Sequence, residues 1–246
     1  MRAELNTDHA VAQRFSHAAS HYQQHNVIQR QTQQQLLQSL PTAVARLLDV
    51  GAGPGTDFSQ YQPQQVIAVD IASGMLQQLQ QQYADYQVMC ADAQQLPLSS
   101  ASVDSYYSNL ALQWCADMSL VAHEAYRVLR PQGQLLIALV VAGSLPELDD
   151  LALNKRQFID EHQLQAAFAA LPWQQLHCET IRHQCHFADL RQLLYSIKGV
   201  GASLTAQQQG LKGKQHWLAL QARAEALRQA AGIPLSYRVA YLRAMK

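Results

Sequence analysis

The chain has 246 residues, 48% hydrophobic and 15% charged, a balance that fits one globular domain and excludes a disordered or low-complexity polypeptide. Lys+Arg and Asp+Glu each number 18, and a zero net charge speaks against a general nucleic-acid binder. The zero hides a division: residues 1–150 carry 6 basic and 13 acidic side chains (net −7), and residues 151–246 carry 12 and 5 (net +7). Either the basic part meets an acidic partner or the two parts attract each other.

The start, "MRAELNTDHAVAQRF", has no apolar core of a secretory signal. The longest apolar run, "LLIALVVA" at 135–142, is far too short to span a bilayer. These features predict a soluble cytoplasmic protein. The four cysteines show no CxxC spacing, which predicts reduced thiols.

Residues 6–39 contain no Gly or Pro and read as two helices, closed by Pro41. Strands are predicted at 45–50 ("ARLLDV"), 65–70 ("QVIAVD"), 87–92 ("QVMCAD"), within 102–112 and at 133–141 ("GQLLIALVV"). Helices are predicted at 73–84 and 117–129. Apolar strands alternating with helices imply a parallel sheet covered on both faces. After residue 142 the pattern changes: a helix near 160–170, a long strand at 173–187, helical stretches at 188–198 and 214–231, and a last strand in "IPLSYRVAYLRAMK".

The stretch "LLDVGAGPG" (47–55) is a strand running into a glycine loop, which lets backbone amides approach a ligand. Gly51 and Gly53 fit a dinucleotide loop, but the third glycine, Gly55, comes one residue early, which argues against NAD. No G-K-[ST] follows, so a P-loop is excluded. Asp70 ends the second strand 21 residues after Asp49, where an acid accepts from both ribose hydroxyls. Asp92 ends the third strand, within reach of an adenine. Each feature also has an ordinary structural reading, as a turn glycine or a capping acid.

Four motifs in order, "LLDVGAGPG", "VIAVDIASGML", "ADAQQLPL" and "EAYRVLRPQG", resemble those of class I S-adenosylmethionine-dependent methyltransferases over roughly residues 45–141. The resemblance implies a Rossmann-like α/β fold, with a seven-stranded, mostly parallel sheet and a helical insertion before the last strand. It divides one domain into N-terminal helices covering the cofactor (1–44), a cofactor-binding half (45–142), and the remaining strands with a helical substrate lid at about 188–231 (143–246).

"HAASHYQQHNVIQRQ", "SNLALQWCADMS", "GSLPEL" and "YSIKGVGAS" are further similar to the malonyl-acyl-carrier-protein O-methyltransferases of biotin synthesis, the BioC group. That similarity runs from about residue 10 to 244. The connection carrying Lys155, Arg156 and Gln157 is shorter than the group's and has Gln157 where the group carries a basic residue before the Phe, so the resemblance does not support a substrate role for this segment.

The resemblance implies S-adenosylmethionine as cofactor, S-adenosylhomocysteine as product and no metal. It implies malonyl-phosphopantetheine on acyl carrier protein as acceptor, with neither nucleic acid nor membrane as partner. Gly51, Gly53 and Gly55 would admit the methionine part of the cofactor, Asp49 its ammonium, directly or through water, and Arg30 its carboxylate. Asp70 would take the ribose, Asp92 and Ala93 the adenine, with Ile71 and Met75 flanking it, and Asn109 would lie beside the sulfonium. Tyr22 and Trp114 would wall the acceptor pocket. Lys198 would grip the malonyl carboxylate or the phosphopantetheine. A carboxylate acceptor is already ionised at neutral pH, so no general base is required. Lys198, Lys212, Lys214, Arg223 and Arg228 form a candidate docking face for an acidic carrier. The spacing in "HCETIRHQCHF" (177–187) fits no zinc pattern and reads as a mixed-face strand.

Two alternatives stand beside this reading: a small-molecule O-, N- or C-methyltransferase of another class I branch, and a cofactor-binding partner subunit without catalysis. A nucleic-acid methyltransferase fits less well, since "SNLALQW" stands where NPPY-type tetrapeptides are expected.

Overall fold

The computed structural model describes residues 27–199 and 213–246; of Lys198, Gly199 and Lys214 it describes the backbone alone. Among the described residues the order is α1 (Val27–Leu37), β1 (Arg46–Val50), β2 (Gln65–Asp70), α2 (Ser73–Gln82), β3 (Gln87–Cys90), β4 (Val103–Asn109), α3 (Met118–Val128) and β5 (Leu129–Val140). Then follow α4 (Pro146–Asp150), α5 (Glu161–Ala169), β6 (Gln175–Phe187), α6 (Leu190–Gly199), α7 (Gly213–Ala226) and β7 (Ile233–Met245).

The strands form one seven-stranded sheet of order β3-β2-β1-β4-β5-β7-β6. The pairs among β1 to β5 are parallel, and β7 runs antiparallel to both β5 and β6. Strand order reverses between β1 and β4, the point where open α/β sheets leave a crevice at their carboxyl ends.

Continuous apolar strands make sense because both faces are buried. Successive side chains alternate between two cores. Leu47, Tyr107, Leu136 and Tyr241 enter one, with Leu36 of α1 and Leu193 of α6. Leu48, Tyr106, Ile137 and Leu242 enter the other, with Val121 of α3 and Phe168 of α5.

Helix α3 begins where Asp117 Oδ1 accepts from the amides of Ser119 and Leu120. At its far end Lys246 donates from Nζ to the carbonyls of Tyr126 and Leu129, at 2.6 and 2.7 Å, satisfying helix-end acceptors.

Three departures from the sequence expectations have local causes. Strand β5 begins at Leu129, paired with Val103, at the last residue of the expected helix and four residues ahead of the expected strand start at 133. The register then jumps to Ser105↔Gln134, and Gln132 takes a positive φ of 66° in the irregular stretch. The short α4 has no counterpart among the expected elements, because its five residues carry no usable helical period. Strand β3 stops at Cys90, two residues early, because Asp92 turns the chain through its own carboxylate onto Gln94 N.

Beyond Val239, the partner of Val140, the stretch Ile233–Arg238 of β7 has β6 as its one strand partner, while its Arg238 and Ser236 carbonyls accept from Val141 N and Leu145 N. This overhang reaches roughly 20 Å past the end of β5. Buried Glu147 braces it, accepting from Ser236 N at 2.9 Å and from Ser236 Oγ at 2.5 Å. Helices α6 and α7 fill the expected helical insertion before β7, and Arg191 of α6 lies over the Trp217 ring of α7.

Candidate functional site

A cavity opens at the strand-order reversal, walled by the carboxyl ends of β1 to β4. Gly51, Gly53, Asp70, Ile71, Met75, Asp92, Ala93, Asn109 and Trp114 line it, so nine of the fourteen expected site residues meet in one place. Leu110, Leu112, Gln94 and Cys115 complete much of the wall.

The glycine loop is built by close approach. A Cβ on Gly51 would stand 2.0 Å from Ala111 Cβ, so only glycine lets the loop after β1 pass the turn after β4. Gly53 has a positive φ of 54°, and a Cβ there would meet nothing within 4 Å. Its missing side chain leaves the cavity open for a ligand.

Gly55 does not line the cavity, against expectation. A Cβ there would lie 2.7 Å from the Tyr83 ring, so this glycine lets the loop pack on α2. Its role is close packing between helix and sheet, the part a third glycine plays in nucleotide folds.

Asp70 pins the loop. Its Oδ2 accepts from Gly53 N and its Oδ1 from Ala72 N, each at 2.8 Å. Burial raises its pKa, and the amides of Ala72, Gly53 and Ile71 oppose the rise. Each oxygen retains a lone pair for a ligand hydroxyl. Asp92 is committed mainly to Gln94, whose N and Nε2 it holds at 2.9 Å. Gln94 Oε1 in turn accepts from Asp117 N, joining this rim to the start of α3.

Asp49 lies behind the wall, 2% exposed, with Oδ2 enclosed and unpartnered. Burial, and secondarily the Asp70 charge, pushes its carboxyl up to about 8. An orphaned buried acid beneath a glycine loop suits a cationic ligand group above it.

Asn109 reaches the wall, but its amide is committed to α1. Oδ1 accepts from the Thr32 hydroxyl at 2.8 Å and Nδ2 donates to the Gln29 carbonyl at 2.9 Å. The side chain therefore anchors α1 over the site, a partnership with no local signal in the sequence.

Arg30 departs from expectation. It is exposed and lines a separate groove with Gln33, Gln34, Gln60 and Tyr61. Helical geometry explains this: the Thr32 side chain faces Asn109, and Arg30, two residues earlier, points about 200° away, to the opposite side of the helix. Tyr22 and residues 200–212, Lys212 among them, lie outside the described residues, and Lys198 and Lys214 are described in their backbone alone. Arg223 and Arg228 are exposed; Arg228 is held by Glu225 and by the Ala188 carbonyl.

Glu124 and Arg127, from the "EAYRVL" motif, sit below the rim. Glu124 accepts from Leu96 N, while Arg127 donates to the carbonyls of Leu96 and Leu98. They clamp the "QLPL" loop after β3 and do not touch the cavity.

The walls suit an S-adenosyl sulfonium ligand: apolar Ile71 and Met75 for a flat base, Asp70 for paired hydroxyls, and an open glycine loop over a buried acid for an ammonium. Among the described residues no group of three His, Cys, Asp or Glu side chains would hold a metal, and no helix is long and apolar enough to cross a membrane.

A methyltransferase-domain family model matches residues 48–137. A malonyl-[acyl-carrier protein] O-methyltransferase of Yersinia pestis is 37% identical over 96% of this chain and 91% of its own. The biotin biosynthesis bifunctional protein BioHC of Cellvibrio japonicus is 36% identical over 94% of this chain and 49% of its own. Among solved structures, a Haemonchus contortus phosphoethanolamine N-methyltransferase in complex with S-adenosylhomocysteine aligns with a TM-score of 0.56. That match has 19% identity, covers 88% of this chain and 52% of the other, and speaks to the fold alone.

Proposed function

The chain belongs to the malonyl-[acyl-carrier protein] O-methyltransferase family, and we propose that it methylates the free carboxylate of a malonyl thioester on acyl carrier protein, an early step of biotin synthesis. The observation that carries the reading is identity of 37% spread over 96% of the chain, which includes the lid region as well as the cofactor half.

S-adenosylmethionine supplies an electrophilic methyl group when bound. Asp70 takes the ribose, Asp92 and Ala93 border the adenine between Ile71 and Met75, and Gly51 and Gly53 leave room for the methionine part. An ammonium bound above Asp49 would favour the ionised form of its buried carboxyl, which holds a proton in the unliganded protein. Trp114 walls the acceptor side, with Tyr22 and Lys198 assigned to the same pocket. The acceptor arrives ionised, so these residues orient it and exclude water without moving a proton. Exposed Arg223 of α7, with Lys198, Lys212, Lys214 and Arg228 assigned to the same docking role, meets the acidic carrier.

The test is transfer of a labelled methyl group to malonyl-carrier protein, with acetyl-carrier protein as control. Labelling of the malonyl form alone supports the reading. Labelling of neither, or of free phenols and amines instead, overturns it.

A further inference from the structure

Arg156 is a cation set at the edge of the cavity. Its guanidinium carbon lies 4.8 Å from the centroid of the Trp114 ring, and that ring lines the cavity. The segment bearing it is held across the carboxyl edge of the sheet. Ala142, just past β5, donates to the Ile159 carbonyl at 2.9 Å. Lys155 Nζ donates to the Leu145 carbonyl at 3.0 Å and pairs with Asp149 at 2.6 Å.

Arg156 is half-buried, yet among the described residues no carboxylate pairs with it. Burial lowers its pKa from the ordinary value, and the charge effect that opposes this comes from Cys115. Partial burial of a guanidinium without a counter-charge costs free energy, which an incoming anion would recover. The face of the Trp114 ring holds the guanidinium at this edge by cation–π attraction, and the forked N–H groups of an arginine match a carboxylate.

We propose that Arg156, laid on Trp114 beside the cofactor cavity, receives the carboxylate of the acceptor and orients it for methylation, an inference that rests on the malonyl-thioester reading. One carboxylate oxygen stays on the guanidinium fork. The other forms the new O–CH3 bond as the C–S bond of the sulfonium breaks, and that electron pair remains on sulfur. No proton moves. A Lys at this position keeps the charge but loses the fork.

The test compares wild type, Arg156→Met and Arg156→Lys with two acceptors, malonyl-carrier protein and malonyl-pantetheine, which lacks both the carrier and its phosphate. Initial rates give kcat and KM, and calorimetry gives the Kd for S-adenosylhomocysteine. Arg156→Met is expected to raise KM about 10- to 100-fold for both acceptors, with the S-adenosylhomocysteine Kd unchanged. Arg156→Lys, the gentler change, is expected to fall between wild type and Arg156→Met. An unchanged KM overturns the assignment. So does a Kd for S-adenosylhomocysteine that rises in step with KM, or a loss confined to the carrier-bound acceptor, which would place the contact on the carrier or its phosphate. A wild-type protein that methylates neither acceptor sinks the malonyl-thioester reading itself, and this inference with it.

Discussion

The Thr32 hydroxyl donates to Asn109 Oδ1 at 2.8 Å, joining α1 to the end of β4 across 77 positions of the chain. Thr32 is fully buried, so water cannot replace it. Thr32→Val is expected to leave the Asn109 oxygen unpaired and to cost about 1–3 kcal/mol in urea unfolding. Thr32→Ser, which keeps the hydroxyl, should stay close to wild type. Equal losses in both variants would mean that the methyl packing matters and the hydrogen bond does not.

Asp70 and Asp92 both line the cavity but do different local work. Asp70 fastens Gly53 and Ala72, whereas Asp92 fastens Gln94. Asp70→Asn turns an NH2 group toward an amide donor and weakens ribose binding, so the S-adenosylhomocysteine Kd should rise about 10- to 100-fold. Asp92→Asn should raise it less. Calorimetry on both variants checks the order.

The sheet was legible because its signals are local. Apolar runs, Gly51 and Gly53, and acids at strand ends mark β1 to β3 and the cavity floor without knowledge of the rest. The assignments that changed depend on direction and distant contact. Whether Arg30 faces in or out turns on the phase of the helix, and nothing within "VIQRQT" reveals that Thr32 meets Asn109. Gly55 looks like its neighbours in sequence, yet the ring that requires it, Tyr83, lies 28 residues on. Arg156 had no local signal either, because Trp114 belongs to a different turn.

Asp49 should make stability depend on pH. Its folded pKa, about 8, lies above the ordinary value of 3.8, so the folded state holds a proton that the unfolded chain has released. Stability attributable to this group therefore falls as pH rises between about 4 and about 8, then levels. Asp49→Asn keeps the shape and should flatten that slope, as measured by urea unfolding at several pH values. Identical slopes in the two proteins would refute the burial argument.

Arg223 is exposed on α7, open to a carrier's acidic surface. Arg223→Glu is expected to raise KM for malonyl-carrier protein roughly two- to fivefold at low salt. The difference should shrink as salt screens it. Malonyl-pantetheine, having no protein surface, should be unaffected. Equal effects on both acceptors would place the role of Arg223 in the packing of α7 and not at a docking face.

Gly53 and Gly55 separate ligand space from packing space. Both have positive φ, 54° and 102°, so alanine carries backbone strain at each, of about 1–2 kcal/mol in the left-handed region. At Gly53 the new methyl meets no protein atom within 4 Å and enters the cavity, so Gly53→Ala should lose cofactor affinity while adding only that strain. At Gly55 the methyl lies 2.7 Å from two carbons of the Tyr83 ring and 3.1 Å from Leu79, so Gly55→Ala must also displace α2. The Gly55 variant should therefore lose the more stability and, where folded, bind S-adenosylhomocysteine nearly as wild type does. Thermal unfolding and calorimetry on the two variants should give opposite rankings. The same ranking in both would mean that the loop acts as one unit and that its third glycine serves the ligand after all.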